Sequence, residues 1–267
     1  MKKYISFFRI RFVMGLQYRT AAWAGVVTQF FWGFMEIKLF RAFYEADPEA
    51  FPMTFSAMVT YVWLQQAFLS FFIPWVMEGE IFDAIVDGNI AYELCRPISI
   101  YDMWFSRSVA NRASRAVLRC VPVLAVAAFL PQPYGLLAPE NPALFFMFVV
   151  TLLLGLFVMV AFCMLMYVLC FFTISPLGLR TVFVSTVEFF GGAVIPLPFF
   201  PEGLQKVMEL LPFASMQNVP LRVYSGNMAW TEIGRAAGLQ VFWLAALVIL
   251  GKALCRIAEK RVTLQGG

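Results

Sequence analysis

The sequence predicts an all-α integral membrane protein with six transmembrane helices, forming a single domain over 1–267. Three observations predict it. The 267 residues are 61% hydrophobic and 13% charged, with a mean hydropathy of +0.78; soluble domains run nearer half apolar and a quarter charged. The apolar residues fall into runs of about 20, the helical length needed to cross a hydrocarbon core of about 30 Å. Lysine and arginine concentrate on one side of the resulting topology, as the positive-inside rule requires.

The elements follow in chain order. Residues 1–20 interleave Tyr4, Ile5, Phe7, Phe8, Phe12, Val13 and Leu16 with Lys2, Lys3, Arg9, Arg11 and Arg19. This mixture suits an amphipathic interface helix lying in the headgroup plane, its basic ends reaching anionic lipid. The plainer reading is the cytoplasmic start of the first span. No small-residue cleavage site follows a short apolar run, so no cleavable signal peptide is expected. Spans are placed at 22–43, 54–77, 103–130, 143–172, 177–199 and 233–254. The fourth exceeds what a bilayer needs, so it must tilt or protrude. With the N-terminus inside, fifteen of the twenty basic residues fall on the inner side. The first outer loop holds Glu45, Asp47 and Glu49 and no basic residue. Both termini are therefore expected in the cytoplasm.

Two loops stand out. The inner loop 78–102 carries Glu78, Glu80, Asp83, Asp87, Glu93 and Asp102 against Arg96 alone. An acidic inner loop is unusual. Ile81, Phe82, Ile85 and Val86 fall at helical spacing, which predicts a short amphipathic helix ending near Gly88. Pro97 forces Arg96 out of helix. A short helix with one apolar and one acidic face reads as a docking element; the alternative is a solvated linker. The outer region 200–232 holds a second short amphipathic helix, with Leu204, Val207, Met208, Leu210 and Leu211 between charges. Pro196, Pro198, Pro201, Pro212 and Pro220 turn the chain around it. This predicts a re-entrant or surface-lying hairpin, whose irregular backbone must be satisfied by protein or water.

Several chemistries are excluded. There is no histidine, which removes His-based acid–base catalysis, His–metal sites and His-containing triads. The five cysteines lack zinc-like spacing and read as free thiols, so no metal is expected. No G-x-x-x-x-G-K-[ST] or dinucleotide fingerprint occurs, so the chain itself is expected to bind no nucleotide. No nucleic-acid partner is expected either.

Charged residues inside the spans are the pathway candidates. Glu188 lies mid-span before Gly191-Gly192, where a carboxylate must be paired, protonated or wet. A pathway, an interface or a structural hydrogen bond would each fit. Glu36 lies near Lys38 and Arg41 in the first span; a polar lining, a salt bridge or snorkelling at the outer interface would explain them. Asn111, Arg112, Arg115 and Arg119 open the third span, with the three arginines in one stripe. They either anchor anionic lipid or line the inner mouth of a cavity that attracts anionic groups. Gly234 and Gly238 would permit close helix packing.

With these residues assembled, the chain resembles the permease subunits of ABC-2 type exporters over nearly its whole length. Four features carry the likeness: the basic N-terminal helix; the stretch from Gly88 through Tyr92, Glu93, Leu94, Cys95, Arg96 and Pro97 to Ser99; the Pro- and Phe-rich outer hairpin; and the tail from Arg261 to Gly267. The resemblance implies a coupling helix in 78–102 that contacts two separate ATP-binding subunits. Its contact residues would be Glu78, Glu80, Ile81, Phe82, Asp83, Ile85, Asp87, Gly88, Glu93, Leu94, Arg96 and Pro97. ATP and Mg would sit on that partner, with no cofactor on this chain. It further implies a second permease chain, identical or related, in a bacterial plasma (inner) membrane. Export of an amphipathic small molecule, a lipid or a peptide is the expected activity. The rival expectations are a non-transporting membrane scaffold and an ion-coupled transporter using Glu188.

Overall fold

A computed structural model describes residues 2–173 and 176–260. The described residues form helices and no strand. Helix α1 (Lys2–Gly15) leads through a short elbow into α2 (Arg19–Ala46). Next come α3 (Phe55–Ala67) and α4 (Leu69–Phe72), then the short pair α5 (Gly79–Val86) and α6 (Ile90–Leu94). Helices α7 (Ile100–Phe129) and α8 (Pro142–Cys170) are long, and α9 (Pro176–Phe190) is shorter. After a 3-10 turn at Leu197–Phe199 come α10 (Glu202–Leu210), α11 (Pro212–Met216) and α12 (Asn218–Tyr224). The last is α13 (Trp230–Glu259).

Local chemistry starts these helices where the sequence allows. Thr54 Oγ1 accepts from the Ala57 amide at 3.2 Å, Ser99 Oγ from Asp102 at 3.3 Å and Asn141 Oδ1 from Leu144 at 2.8 Å. Each satisfies an amide that the first helical turn leaves open. Pro142 follows Asn141 at the first position of α8, where its missing N–H costs nothing.

Helix α8 is the axis of the molecule. It is buried from Val158 to Val168, and α13, α11, α12 and α7 pack around it. Helices α8 and α13 are each long and apolar enough to cross a bilayer, with windows of mean hydropathy 2.9 and 2.0. The 29 residues of α8 span about 43 Å at 1.5 Å per residue, longer than a hydrocarbon core of about 30 Å.

Contacts sort the connections into two ends. At one end Lys252 of α13 pairs with Asp102 of α7 at 2.7 Å, and Phe82 of α5 meets Tyr167 of α8. At the other, Phe199 stacks with Phe40 and Phe51, and Asn227 donates to the Pro52 carbonyl at 3.2 Å. We call these the loop end and the hairpin end.

Three expectations need correction. The second span is not one helix: it breaks at Phe68, and the chain leaves helix altogether after Phe72, ahead of Pro74. The fifth, expected helical over 177–199, is helical only to Phe190. Gly192 adopts φ +78, a conformation a side chain resists, and Pro196 and Pro198 prevent the helix from resuming. At 15 residues, α9 reaches only about 22 Å. Helix α1 runs lengthwise along α7: Tyr4 meets Ser99 and Ser106, and Gly15 packs on Ser114. Its direction is thus set by α7, while Ile5, Ile10, Val13 and Met14 stay exposed. The tail from Arg261 to Gly267 lies outside the described residues.

Candidate functional site

The inner loop is built on an ionic foundation. Arg107 of α7 bonds Glu78 Oε2 through Nε at 3.0 Å and pairs with Glu80 through its second arm, while Asn111 donates to the other oxygen of Glu78. The Glu78 amide donates to the Tyr167 hydroxyl at 2.7 Å. Trp104 Nε1 donates to Glu93 Oε2 at 2.6 Å, and Lys3 Nζ donates to the Pro97 carbonyl at 2.8 Å. Helices α5 and α6 are therefore held from beneath by α1, α7 and α8.

This arrangement divides the predicted contact residues. Ile81 and Phe82 are 1% and 5% exposed and pack inward, Phe82 with its ring 5.0 Å from Tyr167. The expectation that they face a partner does not hold, because α5 starts as the chain leaves the second span and its apolar stripe meets α8 first. Ile85, Glu93 and Leu94 are half-buried. The outer surface consists of Glu80, Asp83, Val86, Asp87, Gly88, Tyr92, Arg96 and Pro97. Gly88, at φ +75 with open space around it, makes the turn between the two helices.

Among the pathway candidates, Arg112 is 1% exposed. Its guanidinium donates to the carbonyls of Ser70 and Ile73 at 2.9 and 2.8 Å and of Val76 at 2.8 Å, and touches Cys163 Sγ at 3.3 Å. These carbonyls belong to the unwound end of the second span. One arginine thus satisfies backbone that would otherwise be stranded in an apolar interior.

Glu36 of α2 is half-buried against α3. Gln65 and Gln66 donate to its two oxygens at 3.3 and 3.0 Å. Gln29, one face along α2, is buried with neither amide atom bonded. Gln65 also donates to the Ala193 carbonyl at 3.2 Å, and Gln217 to Gly192 at 3.3 Å. Both carbonyls lie where α9 gives out. Lys38 and Arg41, in the same stretch of α2 as Glu36 but not sharing its partners, turn to the hairpin end: both lie over the Tyr134 ring, and Arg41 pairs with Glu45 at 2.6 Å. Glu188 is half-buried and accepts from Trp75 Nε1 at 2.6 Å.

The hairpin end follows the same logic. Gln240 of α13 donates to the carbonyls of Thr151 and Ser215 at 2.9 and 2.8 Å. Gly155 lets the 215–216 backbone come directly onto α8; a Cβ there would strike the Met216 carbonyl. Arg222 pairs with Glu209 at 2.6 Å and donates to Asn227, tying α12 to α10. The sequence reading missed Gln65, Gln217 and Gln240. Their signal was an amide side chain inside an apolar run.

Arg115 and Arg119, with Asn111, line a cavity of about 360 Å³ between the α1–α2 elbow and α7. Arg11, Met14, Gly15, Tyr18, Ala21, Ala22, Glu78, Glu80, Arg107 and Leu118 complete its wall.

A family model described as ABC-2 family transporter protein matches residues 30–266. No curated protein matches the chain.

Proposed function

The chain belongs to the ABC-2 transporter family, and from that premise we propose that it is the permease subunit of an ATP-driven exporter whose ATPase is a separate protein. Members of the family are transmembrane components rather than catalysts. The observation that carries the reading is the α5–α6 turn. It is anchored from beneath by Arg107, Asn111, Tyr167 and Trp104, yet presents Asp83, Val86, Asp87, Tyr92, Arg96 and Pro97 outward. A contact that transmits force needs both properties: stiff attachment to the helices that move, and an exposed tip.

In this reading two ATP-binding subunits engage two permease chains at the loop end, which faces the cytoplasm together with both termini. The helices that connect the two ends make six passes of a bacterial inner membrane, the fifth completed by irregular chain. ATP and Mg belong to the partner. The cargo is an amphipathic small molecule, lipid or peptide, and Glu36, with its glutamine pair, and Glu188 are the polar stations on its route. A second reading, ion-coupled transport, is favoured by one observation: Glu36 is a carboxylate held by neutral amides, with no cation paired to it among the described residues.

Co-purification tests the proposal. The full chain, expressed with a candidate ABC ATPase subunit, should bring that subunit down and stimulate its ATP hydrolysis. Changing Asp87→Lys together with Arg96→Glu should abolish stimulation while the permease stays monodisperse. Export that persists with a hydrolysis-dead ATPase would transfer the case to the ion-coupled reading.

A further inference from the structure

The cavity at the α1–α2 elbow holds more positive charge than its surroundings compensate. Of the four arginines on its wall, Arg107 is occupied by Glu78 and Glu80. Among the described residues the other three pair with no acid. Arg11 lies over the Phe7 ring, with its guanidinium carbon 5.5 Å from the ring centroid. Arg115 bonds only the Asn111 carboxamide oxygen, at 2.9 Å. Arg119 has neither an ion pair nor a hydrogen bond among the described residues, and its Nε is buried without a partner.

Arg119 is also fixed in place. Its guanidinium lies against the backbone of α2 at Gly25, where a Cβ would come within 2.5–2.8 Å of the guanidinium atoms. Glycine at this point lets the charge enter the crevice between α2 and α7. An uncompensated guanidinium in such a place is stabilised when an anion meets it. The backbone adds to the same field. Helix α2, 28 residues long, begins at the cavity wall with no side-chain cap and no acid in its first turn. Its N-terminal amides and dipole favour an anion there. The rest of the lining, Met14, Tyr18, Ala21, Ala22 and Leu118, is largely apolar.

We propose that this cavity binds the phosphate group of an anionic amphiphile, with Arg11, Arg115 and Arg119 as its ligands. The phosphate enters the basic wall, and the acyl part lies along the exposed apolar residues Val13 and Met14 of α1 and Trp23 and Val27 of α2. Arginine suits the task, because its planar fork pairs phosphate oxygens two at a time. The site touches the base of α5 through Glu78 and Glu80 but includes none of the outward residues Asp83, Val86, Asp87, Tyr92, Arg96 and Pro97, and it does not depend on the exporter reading. A chain that turned out to be a scaffold would still bind the lipid.

The test uses the full chain, purified in mild detergent and titrated with dioleoylphosphatidylglycerol or dioleoylphosphatidylcholine under native mass spectrometry. Wild type should bind the glycerol lipid in clear preference to the choline lipid. At about 1 kcal/mol per basic residue, each arginine lost should weaken binding about five-fold. Arg115→Gln with Arg119→Gln should therefore lose well over ten-fold, whereas Lys206→Gln, exposed on α10 at the hairpin end, should lose nothing. Should the double change disturb folding, as judged by gel filtration and melting temperature, Arg115→Gln alone carries the test, since that side chain is exposed and bonds only Asn111. A parallel titration with inorganic phosphate separates the sources. No competition supports a lipid headgroup, and arginine-dependent displacement supports phosphate recognition with a soluble donor instead. Equal affinity for the two lipids, or unchanged affinity in the arginine variants, overturns the proposal.

Discussion

The two irregular regions of this protein solve one problem with different chemistry. Both the chain after α4 and the chain after α9 leave helix inside an apolar bundle, and both must find partners for freed carbonyls. At the loop end the partner is charged: Arg112 takes the carbonyls of Ser70, Ile73 and Val76, and Arg107 locks the acids that begin α5. Toward the hairpin end the partners are neutral amides: Gln65 on Ala193, Gln217 on Gly192 and Gln240 on Ser215. A glutamine amide loses far less on leaving water than a guanidinium does. The charged solution thus stands where three carbonyls converge close to the ionic loop, and the amides stand where one or two carbonyls are exposed.

The contrast is open to attack by substitution. The largest effect is expected from Arg112→Leu. It strands three carbonyls and should cost about 3–5 kcal/mol, since each charge-assisted bond contributes about 1.5–3 kcal/mol and losses are not fully additive. A monodisperse Arg112→Leu protein with an unchanged melting temperature would remove the charged staple from the account. Arg112→Lys should recover only part of the loss, because an ammonium cannot spread over three carbonyls as a guanidinium does.

Gln240→Leu comes next. Carbonyls of Thr151 and Ser215 lose their donor, for about 1–3 kcal/mol, measurable as a lower melting temperature in detergent and faster amide exchange across α11. Gly192→Ala should cost about 1 kcal/mol or more, because the new Cβ combines φ +78 with a contact 2.6 Å from Leu197 Cδ1. Exchange protection over 187–193 would report it. The smallest effect on stability belongs to the outward pair Asp87→Lys and Arg96→Glu. Exposed substitutions of this kind stay within about 0.5 kcal/mol, even as ATPase stimulation is lost. A large drop in melting temperature for that pair would mean that the tip is part of the fold rather than a contact surface.

Much of the candidate site was legible because it rests on local pattern. The spacing of Ile81, Phe82 and Ile85, closed by Gly88, predicted α5, and the apolar spacing from Leu204 to Leu211 predicted α10. The direction of α5 was not legible. An amphipathic helix states that it has an apolar face, not whether that face meets a neighbour or water, and here Tyr167 lies 85 residues away from Phe82 in sequence. Arg112 was equally ambiguous: a basic residue in a span announces a need for partners, but its partners are backbone carbonyls that exist only because the second span unwinds.

By itself the sequence determined the membrane class, the positions of the long apolar helices α8 and α13, the acidic loop 78–102, and the prolines that turn the chain around α10. These follow from composition, length and backbone stereochemistry, which act over a few neighbouring residues. Only the tertiary structure decided which polar groups repair the breaks after α4 and α9, that Ile81 and Phe82 turn inward, and that Arg115 and Arg119 share a cavity with the start of α2. Those outcomes depend on groups far apart in the chain meeting across helices. In an apolar interior, the cost of an unmet donor or acceptor selects the one packing in which most of them meet.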